Sequence, residues 1–288
     1  MVRWLRPLVA LLAACAFSQS DKPGIKDLLA RAGSYVQKFE DDFSTVISLE
    51  AYDQHVEQRR AASPRAWLQI SSDARTLRSE MLFTRLPDRR SWLTVRNVLA
   101  VDGNAVADSE KRLERALNES STRVLRALAD EGARFNLGRI RRNVNDPTLA
   151  LRFLAHDSQD DFKFSLMGRE AIDGVDAWKL TYVERRSPSL VRNAQNEDLP
   201  AKGDIWLSVV DGVVLRTSLA ITDKHAHLDA TSLVHYARDA KLEMWVPLTM
   251  SETYVQQTGN TEERIVCTAT YSDFRRFETS GRLISPVR

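Results

Sequence analysis

The sequence is poor in cysteine and has no strong excess of either charge. Its 288 residues include only two cysteines, Cys15 and Cys267. Cys15 lies in a predicted leader, so no disulfide is expected within the mature chain. The formal net charge of +2 falls to near zero when Arg3 and Arg6 leave with the leader, whereas long-range attraction of nucleic acid needs a larger basic excess. We therefore expect neither a disulfide-dependent fold nor a nucleic-acid partner.

The compact motifs of common enzyme classes are also missing. There is no Gly-x-Ser-x-Gly elbow, no Walker loop and no dinucleotide-binding glycine fingerprint. His225 and His227 have the spacing of two metal ligands on a strand, and His235 could supply a third. The alternative is a polar hairpin turn between residues 219–221 and 232–236. We predict no catalytic residue, no cofactor and no metal site, and keep a metal-dependent hydrolase as the weakest alternative.

The first twenty residues have the pattern of an export signal. Arg3 and Arg6 precede an apolar run over residues 7–14, which is too short to cross a bilayer as a stable helix. Residues 12–15, Leu-Ala-Ala-Cys, resemble the lipobox of bacterial lipoproteins, in which the cysteine (here Cys15) carries the lipid after cleavage. Ordinary leader cleavage shortly after Cys15 is the alternative. Both routes predict an exported protein, in the periplasm or associated with the outer membrane.

A long amphipathic helix is predicted after the leader. Apolar residues recur at steps of three and four from Ile25 to Val46, with charged residues on the other side, and such a stripe is typical of a helix packed on a sheet. The period then changes to that of strands. Strands are predicted at residues 46–56, 67–70, 77–86 and 92–101, with a polar break at residues 59–64.

A small helical insertion is predicted at about residues 111–155. Thr122 can cap its first segment, and Asp146 followed by Pro147 can start a short helix that ends near Leu154.

Within this insertion, Arg134, Arg139, Arg141 and Arg142 form a basic cluster, and the last three are the predicted anion site. A phosphate-bearing lipid head group or an acidic protein surface would be the partner in an exported protein. The alternative is a solvated loop whose arginines pair with carboxylates of the sheet.

Residues 162–277 contain short alternating runs separated by turn signals, which predict an antiparallel meander. Asp173-Gly174 and Asp211-Gly212 are the clearest turns, and residues 188–200 form a long polar loop. Trp178, Trp206 and Trp245 fall on predicted strands, and we expect them to line one interior. Cys267 lies in another strand pattern, where a lone cysteine is usually a small buried side chain.

Several of these strand motifs resemble those of the LolA-like fold, the periplasmic lipoprotein carrier and its relatives. The resemblance covers about residues 160–276 and extends to the strands over residues 46–101. It implies an open half-barrel of antiparallel strands that covers helices, with an apolar space for acyl chains. The motifs are Gly174-x-x-x-Trp178-x-Leu180, Gly203-Asp204-Ile205-Trp206-Leu207, Asp211-Gly212-x-Val214-Leu215-Arg216 and Met244-Trp245-Val246-Pro247.

We therefore predict an α+β fold in which one curved antiparallel sheet, an open half-barrel, wraps around helices. Residues 21–288 are predicted to form a single domain. The function that the resemblance implies is binding of an acyl-chain-bearing ligand or a lipoprotein, with Trp178, Trp206 and Trp245 lining the cavity and no catalysis. The long first helix and the insertion depart from the compact carrier pattern. A protein-interaction or envelope-sensing module on the same fold is therefore the alternative.

Overall fold

The computed structural model describes residues 23–63, 66–85, 92–119 and 121–277. The predicted leader, including Cys15, lies outside these residues. The helices are α1 (Ile25–Phe43), α2 (Ser109–Glu119) and α3 (Thr122–Ala133), with 3-10 helices at Leu149–Leu154 and Gln159–Asp161. The strands are β1 (Val46–Ser63), β2 (Ala66–Arg85), β3 (Trp92–Val101), β4 (Asn104–Ala105), β5 (Phe162–Ile172), β6 (Val175–Glu184), β7 (Lys202–Ser208), β8 (Val214–Asp223), β9 (Leu228–Asp239), β10 (Met244–Thr258) and β11 (Thr261–Arg276).

These strands form one open, antiparallel sheet of eleven strands in the order β4-β3-β2-β1-β11-β10-β9-β8-β7-β6-β5. Each hairpin neighbour in sequence is also a neighbour in space, and β1 pairs with β11 to join the two meanders. The predicted half-barrel and the meander over residues 162–277 are confirmed. The predicted turn at Asp173-Gly174 is confirmed as well, since both residues have positive φ, as a tight hairpin requires.

The first two strands are longer than the sequence pattern predicts. The predicted polar break at residues 59–64 is wrong over its described part, because β1 continues to Ser63. Charged and amide side chains stabilise this extension across the β1–β11 pair: Arg59 forms an ion pair with Glu262, and Gln58 Nε2 donates to Glu263 Oε2 at 2.9 Å. Likewise, the two strands predicted at residues 67–70 and 77–86 are one strand, β2.

The inner face of the sheet packs against α1 and the 3-10 helix Leu149–Leu154. The predicted stripe of α1 is buried there, through Leu28, Ala32, Val36, Phe39 and Phe43. Gly33 allows α1 to approach the segment that follows the 3-10 helix, because a Cβ at this position would lie 2.5 Å from the His156 ring. The helix is therefore held by a packed apolar face, which is the usual source of helix stability in proteins.

The inserted helices α2 and α3 pack elsewhere. Leu113 and Ala116 of α2 and Leu125 and Leu128 of α3 join a second apolar cluster with residues of the opposite face of β1, β2 and β3, namely Ile47, Leu82 and Val95. Ser121, and not Thr122, caps α3, since its side chain accepts from the Val124 N–H. Among the described residues, no helix is both long and apolar enough to span a membrane.

Two candidate ligand clefts and a buried polar network

The centre of the half-barrel is packed with side chains. Phe153 of the 3-10 helix stacks on Phe162 at 4.7 Å between ring centroids and meets Tyr182 edge-on at 5.3 Å. Phe43 of α1 lies 4.6 Å from Phe83. The gap between α1 and the 3-10 helix has a volume of about 10 Å³, which is close to the minimum for one water molecule. The larger clefts therefore lie beside this packed core.

A first cleft, the helix cleft, opens between α1 and the turns that precede β8 and β10. Its volume is about 710 Å³, within the range of about 300–1,000 Å³ that is usual for small-molecule sites. Six of the twelve residues that line it are apolar or aromatic, and the other six are charged. The apolar and aromatic residues include Tyr35 and Phe39 of α1, Val213, and Leu242, Met244 and Trp245 at the start of β10.

Polar groups at the helix cleft are nearly balanced in charge. Lys38 pairs with Asp42 at 2.6 Å, and Arg276 donates to the Asp42 carbonyl oxygen at 2.6 Å. The Tyr35 hydroxyl is buried and has no hydrogen-bond partner among the described residues. Burial, with a smaller contribution from Asp211, raises the pKa of Tyr35, so the phenol keeps its proton and can donate a hydrogen bond.

The second cleft depends on a loop, residues 135–142, that is tied to the sheet by side chains. We call it the arginine loop. Gln54 of β1 accepts from the Leu137 N–H at 2.8 Å, and Glu263 of β11 accepts from the Arg139 N–H at 2.7 Å. Gly138 has φ +77°, and a Cβ there would lie 2.7 Å from Glu263 Oε1. Only glycine fits this position without strain, which fixes the path of the loop.

The arginine cleft is lined by this loop, by residues of β2 and β3, and by the end of α3. Its volume is about 730 Å³. Five arginines line it: Arg96, Arg139, Arg141, Arg142 and Arg152. The three arginines predicted from the sequence as an anion site therefore lie at one cleft, joined by two that sequence reasoning missed.

The deep wall of the arginine cleft belongs to a buried polar network on the inner face. Arg96 forms two hydrogen bonds with Glu50, at 2.6 and 2.9 Å, and its guanidinium lies 4.3 Å from the Tyr52 ring centroid. Arg142 donates to Gln54 Oε1 at 3.0 Å and to two carbonyl oxygens of its own loop. Two hydrogen bonds therefore hold Arg96 and three hold Arg142, whereas Arg142 Nε is buried without a partner among the described residues.

Glu252 of β10 is the unusual member of the network. Its Oε2 accepts from the Tyr254 hydroxyl at 2.9 Å and from the Tyr52 hydroxyl at 3.3 Å. Its Oε1 is buried with no hydrogen-bond partner among the described residues. Burial raises the pKa of Glu252 to about 7, although Arg96 and Arg142 act in the opposite direction.

The network could have been recognised from the alternation of side chains along β1 and β10. Glu50 is two residues from Tyr52, and Glu252 is two residues from Tyr254, so each acid points to the same face as a tyrosine. A charged residue in phase with large apolar residues is a signal for a buried polar group, and our sequence reading did not use it.

The three predicted tryptophans do not share one interior. Trp178 is opposite Leu207, whereas Trp206 is opposite Lys179. Neighbouring residues of a strand face opposite sides, so Trp178 lies in the inner core and Trp206 lies on the outer face. There Trp206 Nε1 donates to Glu170 at 2.7 Å, between Lys179 and Arg216. Trp245 lines the helix cleft.

The histidine pair lies in a turn. His225 and His227 are in the connection between β8 and β9, and His225 Nδ1 is 3.4 Å from Glu197 Oε2. The polar hairpin turn is confirmed, and the strand placement that a metal site required is wrong. His235 lies on β9. Across the described ranges, no group of three or more potential metal-ligating side chains occurs.

Cys267 is fully buried in the inner core, as predicted. Burial raises the pKa of its thiol, which keeps it protonated and unreactive.

No protein-family model and no curated protein matches this sequence. Solved structures that align with it do so at low identity. A putative outer membrane lipoprotein-sorting protein domain from Vibrio parahaemolyticus is 12% identical, with 88% of this chain and 93% of that chain covered and a TM-score of 0.35. A DUF1329 family protein from Desulfovibrio piger is 12% identical over 88% and 94% of the two chains, with a TM-score of 0.34.

The lipoprotein LppX of Mycobacterium tuberculosis is 11% identical, over 87% of this chain and 96% of that chain, with a TM-score of 0.26. At such low identities and TM-scores, the function has to be inferred from the clefts themselves.

Proposed function

We propose that this is an exported protein of the cell envelope that binds an acyl-chain-bearing ligand in the helix cleft, without catalysis. The observation that carries the proposal is the half-buried apolar wall formed by Leu242, Met244 and Trp245 beside a cleft of about 710 Å³. An aliphatic chain placed against this wall loses contact with water. Each buried CH₂ contributes about 0.8 kcal/mol, so a chain of about a dozen carbons supplies roughly 10 kcal/mol before the cost of association is subtracted.

The polar end of the ligand is expected at the rim of the cleft. Lys38, Arg238 and Arg276 lie on the same rim, together with the acids Asp42, Asp211 and Glu243. Because cations and acids are equal in number here, the rim suits a ligand with a small polar head better than a strongly charged one.

Export of the protein rests on the leader pattern, with Arg3 and Arg6 before a short apolar run and Cys15 as the lipidation candidate. Replacement of Cys15 with serine tests the anchor. A lipoprotein would move from the membrane fraction to the soluble fraction, and unchanged fractionation and processing would remove the anchor from the proposal.

The alternative, a protein-interaction or envelope-sensing module, has one observation in its favour. Trp67, Leu68 and Ile70, near the start of β2, are 42%, 56% and 52% exposed. Large apolar side chains clustered on a surface often mark contacts with other proteins. This alternative gains support only if the helix cleft fails to bind lipid.

The helix cleft is tested with a fluorescent fatty acid titrated into the purified protein. Met244→Glu places a charge on the apolar wall, and we expect it to weaken binding about tenfold or more, since burying an unpaired charge is costly. Val210→Glu is the matched control, because Val210 is 87% exposed in the turn before β8. It should bind as the wild type does. Trp245→Ala should weaken binding less than Met244→Glu, through lost contact area alone.

Thermal melts of all variants establish that the fold is retained. Absence of saturable binding by the wild type, or equal affinities of Met244→Glu and Val210→Glu, would contradict the acyl-binding proposal.

A further inference from the structure

We infer that the arginine cleft is a separate binding site for the phosphate group of an organic ligand. The site differs from the helix cleft in position and in chemistry. It is formed by the arginine loop, residues of β2 and β3, and the end of α3, and its lining carries a surplus of positive charge. Nothing in this inference depends on lipid binding in the helix cleft.

The surplus follows from the ion pairs. Arg96 is paired with Glu50 at 2.6 Å, and Arg152 is paired with Asp146 at 2.7 Å. By contrast, the Arg139, Arg141 and Arg142 side chains have no carboxylate partner within ion-pair distance among the described residues.

Asp130 is the remaining acid of the lining, so three unpaired cations face one unpaired acid. A bound anion would restore the balance, and several cations around one concave surface strengthen the local potential.

The cations are held in place before any ligand arrives. The arginine loop is tied to the sheet through Gln54 and Glu263, and Arg142 is 8% exposed with both Nη atoms hydrogen bonded. Arg139 and Arg141 are exposed, and their guanidinium forks are free to bind oxygen atoms. A fixed backbone with free guanidinium groups suits a phosphate, which arginine binds through two parallel hydrogen bonds.

The dimensions favour an organic phosphate over the inorganic ion. A cleft of about 730 Å³ is far larger than one phosphate group. Met81, Leu93 and Ile140 add apolar surface to its lining. The ligand should therefore join a phosphate to a partly apolar body. A phospholipid head group and a free small phosphate ester share this chemistry.

The experiment uses isothermal titration calorimetry at low salt with glycerol 3-phosphate and pyrophosphate, and co-sedimentation with phosphatidylcholine vesicles with and without phosphatidylglycerol. The test variant is Arg139→Gln/Arg141→Gln. The control is Arg123→Gln/Arg126→Gln, which removes the same charge from exposed positions of α3. We expect the test variant to lose about tenfold or more in affinity and the control to match the wild type.

The two sources of the phosphate separate in this design. Variant-sensitive binding of glycerol 3-phosphate supports a free phosphate ester, and variant-sensitive binding confined to phosphatidylglycerol vesicles supports a head group. Variant-sensitive binding of pyrophosphate alone would contradict an organic ligand. The inference is overturned if no probe binds saturably, or if both double variants lose affinity equally, because the attraction would then be nonspecific. Retained fatty-acid binding by the test variant shows that the helix cleft is intact. The fatty-acid titration and the phosphate titration therefore test the two proposed sites independently.

Discussion

Two regions of the inner face are equally buried and differ in chemistry. On β6 and β7 the inward positions are apolar, as in Leu180 and Ile205, which are both fully buried. On β1 and β10 the inward positions include Glu50 and Glu252, each 1% exposed. The apolar region packs directly on other apolar side chains. The polar region instead anchors a loop and supplies the wall of the arginine cleft.

In this comparison, the polar residues of the inner face fix the path of the arginine loop. Leu137 and Arg139 of the loop reach the sheet through hydrogen bonds to Gln54 and Glu263. An apolar face would hold a loop by contact area alone and would leave its direction less defined. Hydrogen bonds in a buried site define direction and become costly when one partner is lost.

The largest expected effect comes from breaking the buried ion pair. Arg96→Met leaves Glu50 buried without its partner, and we expect the free energy of unfolding to fall by about 3–5 kcal/mol. Arg186→Met is the matched control, because the Arg186–Asp161 pair has an arginine that is 68% exposed. Its loss should cost less than about 1 kcal/mol. Urea unfolding measures both, and equal costs would show that burial does not make the Arg96–Glu50 pair more important than an exposed pair.

The next effect concerns Glu252 and pH. Its pKa is raised from 4.5 to about 7 by burial, so the wild type should be most stable below pH 4.5 as far as this group is concerned. The free energy of unfolding should fall as the pH rises from 4.5 to about 7 and stay constant above that. The total decrease is on the order of 3 kcal/mol. Glu252→Gln should remove this slope and raise stability above pH 7.

Stability curves at several pH values measure the slope. Glu114→Gln, an exposed position on α2, is the control and should keep the wild-type slope. If Glu252→Gln keeps it too, then Glu252 does not titrate in this range.

The smallest expected effect comes from removing one tyrosine hydroxyl in each of the two regions. The Tyr254 hydroxyl donates to Glu252 Oε2 at 2.9 Å, and the Tyr182 hydroxyl donates to the Ser218 carbonyl oxygen at 2.8 Å. Replacement of either by phenylalanine should cost about 1 kcal/mol. The cost of Tyr254→Phe should grow as Glu252 ionises, since hydrogen bonds to charged groups are stronger. The cost of Tyr182→Phe should stay constant between about pH 5 and about pH 8, because its acceptor is a carbonyl oxygen, which does not ionise.

Local patterns predicted much of the fold. The stripe of α1 and the alternation over residues 162–277 are properties of neighbouring residues, and both predictions are confirmed. The extension of β1 beyond Arg59 was not predicted, because it depends on Glu262 and Glu263 of a strand far along the chain. The opposite facing of Trp178 and Trp206 was missed because we compared strands without fixing the register between them.

The candidate sites were predicted less well. Arg139, Arg141 and Arg142 are close in sequence and were recognised together. Arg96 and Arg152 come from distant segments, and only the folded chain brings them to the same cleft. The prediction of anion binding at the arginines stays a prediction until binding is measured.

The pairing of β1 with β11 also affects the order in which the strands of the sheet can pair during folding. The two strands belong to opposite ends of the described chain, yet they pair from Val46 with Arg276 to Arg60 with Thr261. Contacts between distant segments form late, because a long loop must close first. Until β11 arrives, β1 and β10 are two bare edges, and such edges are prone to aggregate. A chain that has not yet paired β11 therefore exposes the backbone groups of two strands at once.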